Sequence, residues 1–351
     1  MLEDESSSSS LFRIHPTCHI FHELGMMDFA NLQFLGSGYW RNVWRLEWPE
    51  TEIANTTTTD GTYSNNNSTS TVAVLKLLNL EQHYDDEMFE MHSVDAGVME
   101  RFSSSRNFVH QFAECGPSAI TEVADTADKT ISNPDLSPLQ RLEIARDIAW
   151  GLAELHSFQP IHEFTAADKA EEEPKIVLSH HDIKTANVVS VLRRSSGTKR
   201  RSVQWNDFNG AIPMRQYANG TRCEYPVHHQ HPIWRSPEEI VNRTGTFWVP
   251  SADVYSLGNV LYWVLAQHRP WWKFEGRMSK EEREKRAYRK LNGTLPRLPE
   301  EIVESTDPAT RVLWQAVQDC FQLNPTSRPT AYQLARTLSL AYDEIAARAK
   351  G

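Results

Sequence analysis

Residues 180–187 read His180-His181-Asp182-Ile183-Lys184-Thr185-Ala186-Asn187, and this stretch decides how the whole chain is interpreted. It follows an apolar segment, residues 176–178, that predicts a short strand. Asp182 can orient a hydroxyl group, Lys184 can neutralise a phosphate, and Asn187 can hold Mg²⁺ through its amide oxygen. A polar surface loop is the alternative for these residues taken alone.

A second oxygen ligand for a divalent cation follows this loop. Residues 188–205 predict a β-hairpin, and Asp207-Phe208-Asn209 comes directly after it. Asp207 offers a carboxylate, which is the kind of hard oxygen ligand that Mg²⁺ prefers. Surface polarity is the alternative for Asp207 alone, but the order of the two segments favours one shared site.

Two earlier segments supply candidate phosphate contacts. Residues 35–43 read LGSGYWRNV, in which Gly36 and Gly38 let backbone N–H groups approach phosphate oxygens without a Cβ in the way. Residues 72–76 form an apolar strand that ends in Lys76, and a lysine inside such a strand normally needs a partner or a ligand. A plain β-turn and an edge-strand lysine are the alternatives.

In this order along the chain, the four segments resemble the motifs of the eukaryotic protein kinase family, and the resemblance extends from about Leu32 to Tyr342. Three later segments resemble that family as well: Ser236-Pro237-Glu238, Asp253-Val254-Tyr255-Ser256-Leu257-Gly258 and Asn324-Pro325-Thr326-Ser327-Arg328-Pro329-Thr330. The resemblance implies an α+β, bilobal fold with a small antiparallel β-sheet N-lobe plus one helix and a larger, mostly helical C-lobe. It also implies an ion pair between Glu238 and Arg328, and a bracing role for Asp253 under the catalytic loop.

The resemblance further implies ATP and Mg²⁺ as cofactors. The nucleotide would be bound by residues that contact phosphate or adenine: Gly36, Gly38, Val43, Val74, Lys76, Glu122, Ala124 and Val189. The implied catalytic set is Asp182, which would accept or orient the hydroxyl proton, Lys184 beside the transferred phosphate, and Lys76 on the α- and β-phosphates. Asn187 and Asp207 would coordinate Mg²⁺.

The acidic residue that the family places opposite the strand lysine has no clear counterpart in this sequence. Asp95 fits best as the partner of Lys76, while Glu90 and Glu100 are rivals on the same predicted helix, residues 84–102. At ~4 Å and an effective dielectric of ~20, such a pair contributes about 4 kcal/mol before desolvation, so Lys76 should not go unpaired.

Three other positions depart from the family pattern. Arg41 replaces the third glycine, His181 replaces the arginine that commonly precedes the catalytic aspartate, and Asn209 replaces the glycine of Asp-Phe-Gly. That arginine normally binds a phosphate on the activation loop, so we do not expect switching by loop phosphorylation.

The expected function is transfer of the γ-phosphoryl group of ATP to a hydroxyl of a protein substrate. The position of Lys184, two residues after Asp182, resembles serine/threonine kinases, although Trp234 leaves tyrosine open. The alternative is a pseudokinase scaffold that binds nucleotide or a protein partner without turnover, and the departures from the family pattern favour it.

Composition patterns divide the chain into a tail, two lobes and one insertion in each lobe: 1–27, 28–123, 124–351, 51–70 and 159–175. The insertion in the first lobe has too few apolar residues to pack, so we expect it to be disordered. In the second lobe, Ser137-Pro138 signals a helix start. Apolar residues at helical spacing then predict a buried helix: Leu142, Ala145, Ile148, Leu152 and Leu155.

The formal net charge of -10 would repel a phosphate backbone, so we expect no nucleic-acid partner. The cysteines are scattered and form no CxxC pair, so they read as ordinary thiols: Cys18, Cys115, Cys223 and Cys320. No apolar run approaches the ~18 residues of a membrane span, and no signal peptide is recognisable, so a cytoplasmic location is expected. Asn-x-Ser/Thr triplets keep a lumenal or membrane-tethered full-length protein open: Asn55, Asn66, Asn67, Asn219, Asn242 and Asn292.

Overall fold

The computed structural model describes these residues: 18, 21, 24, 29–48, 71–160, 173–195, 198–221, 223–227, 232–242, 249–271 and 279–350. The chain separates into two compact units. The first unit comprises Met1–Ala96 and His110–Val123, and the second comprises Gly97–Val109 and Ala124–Gly351. The insertion predicted at 51–70 lies outside the described residues, as does most of the one predicted at 159–175.

The first unit is built on one antiparallel sheet. Its strands in chain order are β1 (Gln33–Ser37), β2 (Arg41–Trp48), β3 (Thr71–Leu78), β4 (Gln111–Cys115) and β5 (Ser118–Glu122). They lie side by side in the order β1-β2-β3-β5-β4. Gly116 joins β4 to β5 with a φ of 56°, a left-handed conformation that glycine adopts without steric cost.

The two faces of this sheet have different roles because side chains alternate along a strand. One face forms a fully buried core: Leu46, Ala73, Leu75, Ala113 and Ile120. Partly buried apolar side chains pack against that core: Phe21, Leu24, Leu32, Trp44, Leu77 and Phe112. The other face of β3 carries Val74 and Lys76, so the hydrophobic core fixes which residues the sheet presents there.

The second unit is mainly helical. The first helix of the chain, α1, spans Asp86–Arg101, close to the predicted residues 84–102, and its residues up to Ala96 belong to the first unit. The helices that follow are α2 (Asp128–Ile131), α3 (Pro138–Ser157), α4 (Pro237–Val241), α5 (Val249–Ala266), α6 (Lys280–Ala287), α7 (Glu300–Val303), α8 (Pro308–Cys320) and α9 (Ala331–Lys350). An antiparallel sheet in one unit and helices in the other confirm the α+β expectation.

Short strands complete the second unit: β6 (Asp125–Thr126), β7 (Leu178–Ser179), β8 (Val188–Ser195), β9 (Thr198–Trp205) and β10 (Ile212–Pro213). β8 and β9 form the hairpin predicted at residues 188–205, and β6 pairs with β8, which is the central strand of this three-stranded sheet. The predicted strand at residues 176–178 is displaced toward residue 180, since only Leu178–Ser179 pairs, with β10.

Helix α3 follows the sequence prediction closely. The N–H of Gln140 donates to Ser137 Oγ at 3.2 Å, and the N–H of Ser137 donates to Gln140 Oε1 at 2.9 Å, which completes a capping box. Phe158 ends the helix in a left-handed conformation, with a φ of 52°. The apolar residues of the predicted stripe are all exposed by 1% or less: Leu142, Ala145, Ile148, Leu152 and Leu155.

The β8–β9 hairpin is anchored on α3 through Trp205. The indole Nε1–H of Trp205 donates to the Ile148 carbonyl at 2.9 Å. Gly151 allows this approach, because a Cβ at that position would lie 2.3 Å from Cδ1 of Trp205. Trp205 is therefore fixed against α3, and Asp207 follows it by two residues.

The prediction that all four cysteines are ordinary thiols is wrong for two of them. Cys18 and Cys115 form a disulfide with a Cα–Cα distance of 4.6 Å. A separation of 97 residues hides the pair from any spacing rule, because only the fold returns Cys18 to the end of β4. Cys223 and Cys320 are free.

Candidate active site

The glycine segment forms the turn between β1 and β2. Gly36 pairs with Val43 across the two strands, and the N–H of Gly38 donates to the Arg41 carbonyl at 2.8 Å. A Cβ at Gly38 would lie 3.3 Å from that oxygen, so a larger residue would crowd the turn. Ser37 Oγ–H donates to Asn42 Oδ1 at 2.7 Å, which fixes the two sides of the turn.

Lys76 lies opposite Val43 on one side and Ala119 on the other, so the three residues share one face of the sheet. Val74 lies two residues before Lys76 and points to the same face. In β5, Glu122 donates its N–H to the His110 carbonyl at 2.9 Å and accepts the His110 N–H on Oε1 at 2.8 Å. One face of the sheet thus carries Lys76 together with Val43 and Val74, two of the predicted adenine contacts.

Asp95 is the acidic residue of α1 that turns inward. It is exposed by only 4%, whereas Glu90 and Glu100 are exposed. Arg41 donates to Asp95 Oδ2 at 2.7 Å, an ion pair that the sequence analysis did not anticipate. The predicted contact between Asp95 and Lys76 stays a prediction.

His92 completes this cluster one helical turn before Asp95. The second guanidinium nitrogen of Arg41 lies 2.7 Å from His92 Nδ1. Burial lowers the pKa of His92 to about 4, the charge of Arg41 adds to this shift, and Asp95 opposes it. A neutral imidazole that accepts from Arg41 therefore joins the strand after the glycine turn to helix α1.

In the second unit, Asp253 of α5 binds the backbone at the start of the loop at residues 180–187. Its carboxylate accepts the backbone N–H groups of His180 and His181 at 2.7 and 2.8 Å. It also accepts the hydroxyl of Ser179 at 2.5 Å and lies 3.0 Å from His156 Nε2. Burial alone would raise the pKa of Asp253, but these hydrogen bonds outweigh burial and hold it below its usual range. The bracing role implied by the resemblance is confirmed.

Asp182 lies among cationic side chains. Lys184 Nζ donates to its Oδ2 at 2.5 Å, and Arg235 Nη2 donates to its Oδ1 at 3.3 Å. Burial would raise the pKa of Asp182, but the ion pair with Lys184 and the charge of Arg235 lower it overall. The carboxylate is therefore ionised near neutral pH, as a group that orients or accepts a hydroxyl proton must be.

A backbone hydrogen bond connects Asn187 to Asn206, the residue directly before Asp207. Asn187 Nδ2 donates to the Asp182 carbonyl at 2.9 Å, and the N–H of Asn206 donates to the Asn187 carbonyl at 3.0 Å. Asp207 itself has a φ of 68°, so the left-handed residue of this turn is Asp207 and not Asn209. Strained backbone of this kind costs about 1–3 kcal/mol and is concentrated at functional sites.

The donor set fits Mg²⁺. Because its Nδ2 is engaged with Asp182, Asn187 offers its amide oxygen, and Asp207 offers a carboxylate, two hard ligands of the type that Mg²⁺ takes together with substrate phosphates. Among the described residues, no group of three or more His, Cys, Asp or Glu side chains is arranged to hold a metal. The site would therefore need phosphate oxygens and water to complete an octahedron.

The two remaining nucleotide candidates are Val189 and Ala124, which belong to the second unit. Val189 pairs with Thr126 of β6, and Ala124 directly precedes that strand. The second unit thus contains six predicted site residues: Ala124, Asp182, Lys184, Asn187, Val189 and Asp207. The first unit contains the other candidates: Gly36, Gly38, Val43, Val74, Lys76, Asp95 and Glu122.

Sequence reasoning missed Arg235. Its Nη1 donates to the His181 carbonyl at 2.6 Å, next to the contact of Nη2 with Asp182. The only sequence signal is its position directly before Ser236-Pro237-Glu238, and no spacing rule links it to the loop. The predicted ion pair behind that motif is confirmed: Arg328 donates to both oxygens of Glu238 at 2.6 and 2.8 Å.

An antiparallel sheet with a lysine strand and a helical unit with an Asp-Lys-Asn loop define a kinase-type fold. A family model described as protein kinase domain matches residues 120–338, which is more than half of the chain. The chain belongs to the protein kinase domain family, and the resemblance stated from the motifs is confirmed.

Three relatives match shorter stretches. The mitogen-activated protein kinase kinase kinase mkh1 of Cytospora mali is 35% identical over 103 residues, covering 29% of this chain and 5% of that protein. The mitogen-activated protein kinase kinase kinase MCK1 of Pyricularia oryzae is 31% identical over 102 residues, covering 29% of this chain and 6% of that protein. The cyclic GMP-binding protein C of Dictyostelium discoideum is 27% identical over 199 residues, covering 56% of this chain and 6% of that protein. The chain therefore spans only about a twentieth of the length of these relatives.

In the part of the chain that the structure describes, no helix combines the length and the apolar character needed to cross a membrane.

Proposed function

We propose that this chain is an active protein kinase that transfers the γ-phosphoryl group of ATP to a serine or threonine hydroxyl of a protein. The observation that carries the proposal is the ionised Asp182, held between Lys184 and Arg235 on a loop that Asp253 braces. A scaffold has no physical need to keep a carboxylate, a phosphate-neutralising ammonium and two Mg²⁺ ligands in one loop system.

Each residue has one task in this reaction. Asp182 orients the acceptor hydroxyl and accepts its proton, and Lys184 stays beside the phosphoryl group as charge moves onto the leaving oxygen. Asn187 and Asp207 would hold Mg²⁺, which neutralises charge on the phosphates when bound. Gly36, Gly38, Val43, Val74, Lys76, Glu122, Ala124 and Val189 are proposed to bind the nucleotide, with Asp95 supporting Lys76.

The names of two relatives support a protein as the acceptor, since both are described as kinases of kinases.

We further propose lobes at 28–123 and 124–351, with a tail at 1–27. A cytoplasmic location is proposed, and an oxidising compartment is the alternative. The Cys18–Cys115 disulfide and the exposed Asn219, Asn242 and Asn292 support the alternative. Glycosidase treatment of protein from its own cells decides between the two, because a mobility shift excludes the cytoplasm.

The test of the proposed activity is Asp182→Ala. With Mg²⁺-ATP and a broad serine/threonine peptide pool, the rate should fall by about 10²- to 10⁴-fold, because a positioned base contributes a factor of this size. ATP binding, followed by thermal shift with and without Mg²⁺, should be retained because Asp182 is not a phosphate ligand.

The rival function is a pseudokinase scaffold, and Arg41 in the glycine turn is the observation that favours it. Wild-type protein that transfers no γ-phosphate to any peptide, or that is stabilised by ATP equally with and without Mg²⁺, supports this rival. Phosphate transfer that Asp182→Ala abolishes excludes it.

A further inference from the structure

Lys290 is a buried cation that the catalytic scheme does not use. It lies just after α6 and has 0% of its surface exposed. Its ammonium donates to three backbone carbonyls, those of Pro232 at 3.1 Å, Ile233 at 2.6 Å and Arg235 at 2.6 Å. An ammonium group has three donors and no acceptor, so the three carbonyls use its full capacity.

Within the segment of residues 232–235, Lys290 does not bind the carbonyl of Trp234. Side chains of α5 bind this carbonyl instead. Ser256 Oγ–H donates to the Trp234 carbonyl at 2.6 Å, and Asn259 Nδ2 lies 3.5 Å from the same oxygen. Four consecutive carbonyls, from Pro232 to Arg235, are therefore bound by side chains from two different elements. Residues 232–235 have no regular secondary structure, so these side chains satisfy carbonyls that a helix or sheet would otherwise bind.

The fixed segment ends in the residue that reaches the catalytic loop. Arg235 contacts the His181 carbonyl at 2.6 Å and Asp182 Oδ1 at 3.3 Å, and Glu239 lies 3.4 Å from the same guanidinium. Because the Arg235 carbonyl is bound by Lys290, a shift of this carbonyl would move the guanidinium away from Asp182. A displacement of about 1 Å near reacting groups can lower a rate by about 10²-fold.

The burial of a charge at this position is not explained by packing. Burial lowers the pKa of Lys290 well below its usual range; Glu239 opposes this shift and Arg235 adds to it. The rings of Tyr255 and Trp271 lie 5.3 and 5.4 Å from the ammonium and partly replace its hydration. A methionine or leucine would fill the same volume without this cost, which points to the carbonyl contacts as the reason for a lysine.

The same segment borders a cavity. Pro232 and Arg235 line an opening of about 210 Å³, with Val227, Ile240 and Tyr288 among its other walls. Arg235 both lines this cavity and contacts Asp182, so an acceptor peptide presented to Asp182 would lie close to the segment. Displacement of the segment would therefore affect the acceptor peptide and leave ATP unaffected.

We propose that Lys290 is a positioning residue for phosphoryl transfer, which holds the carbonyls of Pro232, Ile233 and Arg235 so that the Arg235 guanidinium reaches Asp182. The inference rests on the proposed kinase function and adds a residue that no kinase motif of the sequence contains. Lys290 acts through Arg235 and touches neither nucleotide nor acceptor.

The test compares Lys290→Met, Arg235→Met and the double variant in the full chain, with Arg289→Met as the matched control on the same turn, since Arg289 is exposed. Lys290→Met should lower kcat by about 10- to 100-fold and raise the KM for the acceptor peptide, while the KM for ATP changes less than twofold. The double variant should be no slower than Arg235→Met alone, because the two residues act in one chain of contacts. Arg289→Met should behave as wild type.

Two results would overturn the inference. One is a kcat loss below twofold in folded Lys290→Met, and the other is a double variant whose loss equals the product of the two single losses. A second measurement tests the positioning role without using activity, so that it can be applied even if the wild-type protein is inactive and the proposed function is wrong. Amide hydrogen exchange across residues 232–242 should accelerate in Lys290→Met and stay unchanged in Arg289→Met. Equal exchange in the two variants rejects the positioning role whether or not the protein is a kinase.

Discussion

At the residue scale, the sequence pattern indicated which acidic residue of α1 turns inward, but it did not indicate all the side chains that this residue contacts. Asp95 fits the family pattern better than Glu90 and Glu100, and burial favours the same residue. In the sequence, Arg41 stands only as a replaced glycine. The structure gives Arg41 a contact of its own, an ion pair with Asp95 at 2.7 Å in which both side chains are largely buried.

Replacement of Arg41 should therefore destabilise the protein. Arg41→Met removes this hydrogen-bonded ion pair from the buried Asp95 carboxylate, and the free energy of unfolding should fall by about 1–3 kcal/mol. Chemical denaturation measures the loss. The double variant Arg41→Met/Asp95→Leu is the control and should recover part of it, because the buried charge is gone. Equal stability of Arg41→Met and wild type would contradict a buried ion pair.

His92 in the same cluster gives the stability a pH dependence. Its pKa is about 4 in the folded chain, below the ordinary 6.5, because of burial and the charge of Arg41. Between these two pH values the unfolded chain binds a proton at His92 that the folded chain does not. The free energy of unfolding therefore falls as the pH drops from about 6.5 to about 4, and above about pH 6.5 this contribution to stability is fully present. The loss is at most about 3 kcal/mol from this residue.

Urea unfolding at several pH values between 7 and 4 checks this effect. In His92→Gln the decrease in this window should be smaller than in wild type, since the residue with the lowered pKa is absent. His83→Gln, at an exposed histidine of the same unit, is the matched control. Parallel pH profiles for wild type and His92→Gln would exclude His92 as the cause.

At the element scale, two helical glycines have opposite surroundings. In α3, a Cβ at Gly151 would lie 2.3 Å from the Trp205 ring, whereas a Cβ at Gly97 of α1 would meet nothing within 4 Å. Alanine adds up to about 1 kcal/mol of helix propensity at either position. At Gly151 this gain is exceeded by overpacking against a buried tryptophan.

Gly151→Ala should therefore lower the free energy of unfolding by about 1–3 kcal/mol. Gly97→Ala serves as the matched control and should raise it by about 0.5–1 kcal/mol. Thermal or denaturant unfolding of both variants gives the two signs. A stabilised Gly151→Ala would show that Trp205 does not pack against α3 in the way described.

Elements differ in how well their sequence predicts them. The helix after Ser137-Pro138 has an N-cap signal and an apolar stripe at helical spacing, and the hairpin at residues 188–205 has two strand-length runs. Both form as expected. The short helices α2, α4 and α7 were not predicted, because a single turn has too few residues to show periodicity. Such turns are stabilised by tertiary contacts, since an isolated helix nucleus is unfavourable.

At the scale of the whole molecule, the disulfide links the N-terminal segment to the sheet. Phe21 and Leu24 pack on the sheet core close in sequence to Cys18, which is bonded to Cys115 at the end of β4. The link closes a loop of 97 residues, and a crosslink of this length restricts the unfolded chain strongly.

Cys18→Ser should lower the free energy of unfolding by about 2–4 kcal/mol under oxidising conditions. Addition of a reductant should reproduce the loss in wild type and have no effect on the variant. Cys223→Ser, at a free cysteine, is the control. A melting temperature of wild type that does not respond to reductant would show that the bond contributes nothing to stability.

The sequence by itself determined the α+β class, the membership of the kinase family, and the short loop that holds Asp182, Lys184 and Asn187. These features are encoded locally, in residue types a few positions apart. Only the tertiary structure decided the partners: Arg41 for Asp95 across 54 residues, Arg235 for Asp182 across 53, and Cys18 for Cys115 across 97. A linear pattern carries periodicity and turn chemistry, but a contact between distant residues exists only once the hydrophobic core has brought their elements together.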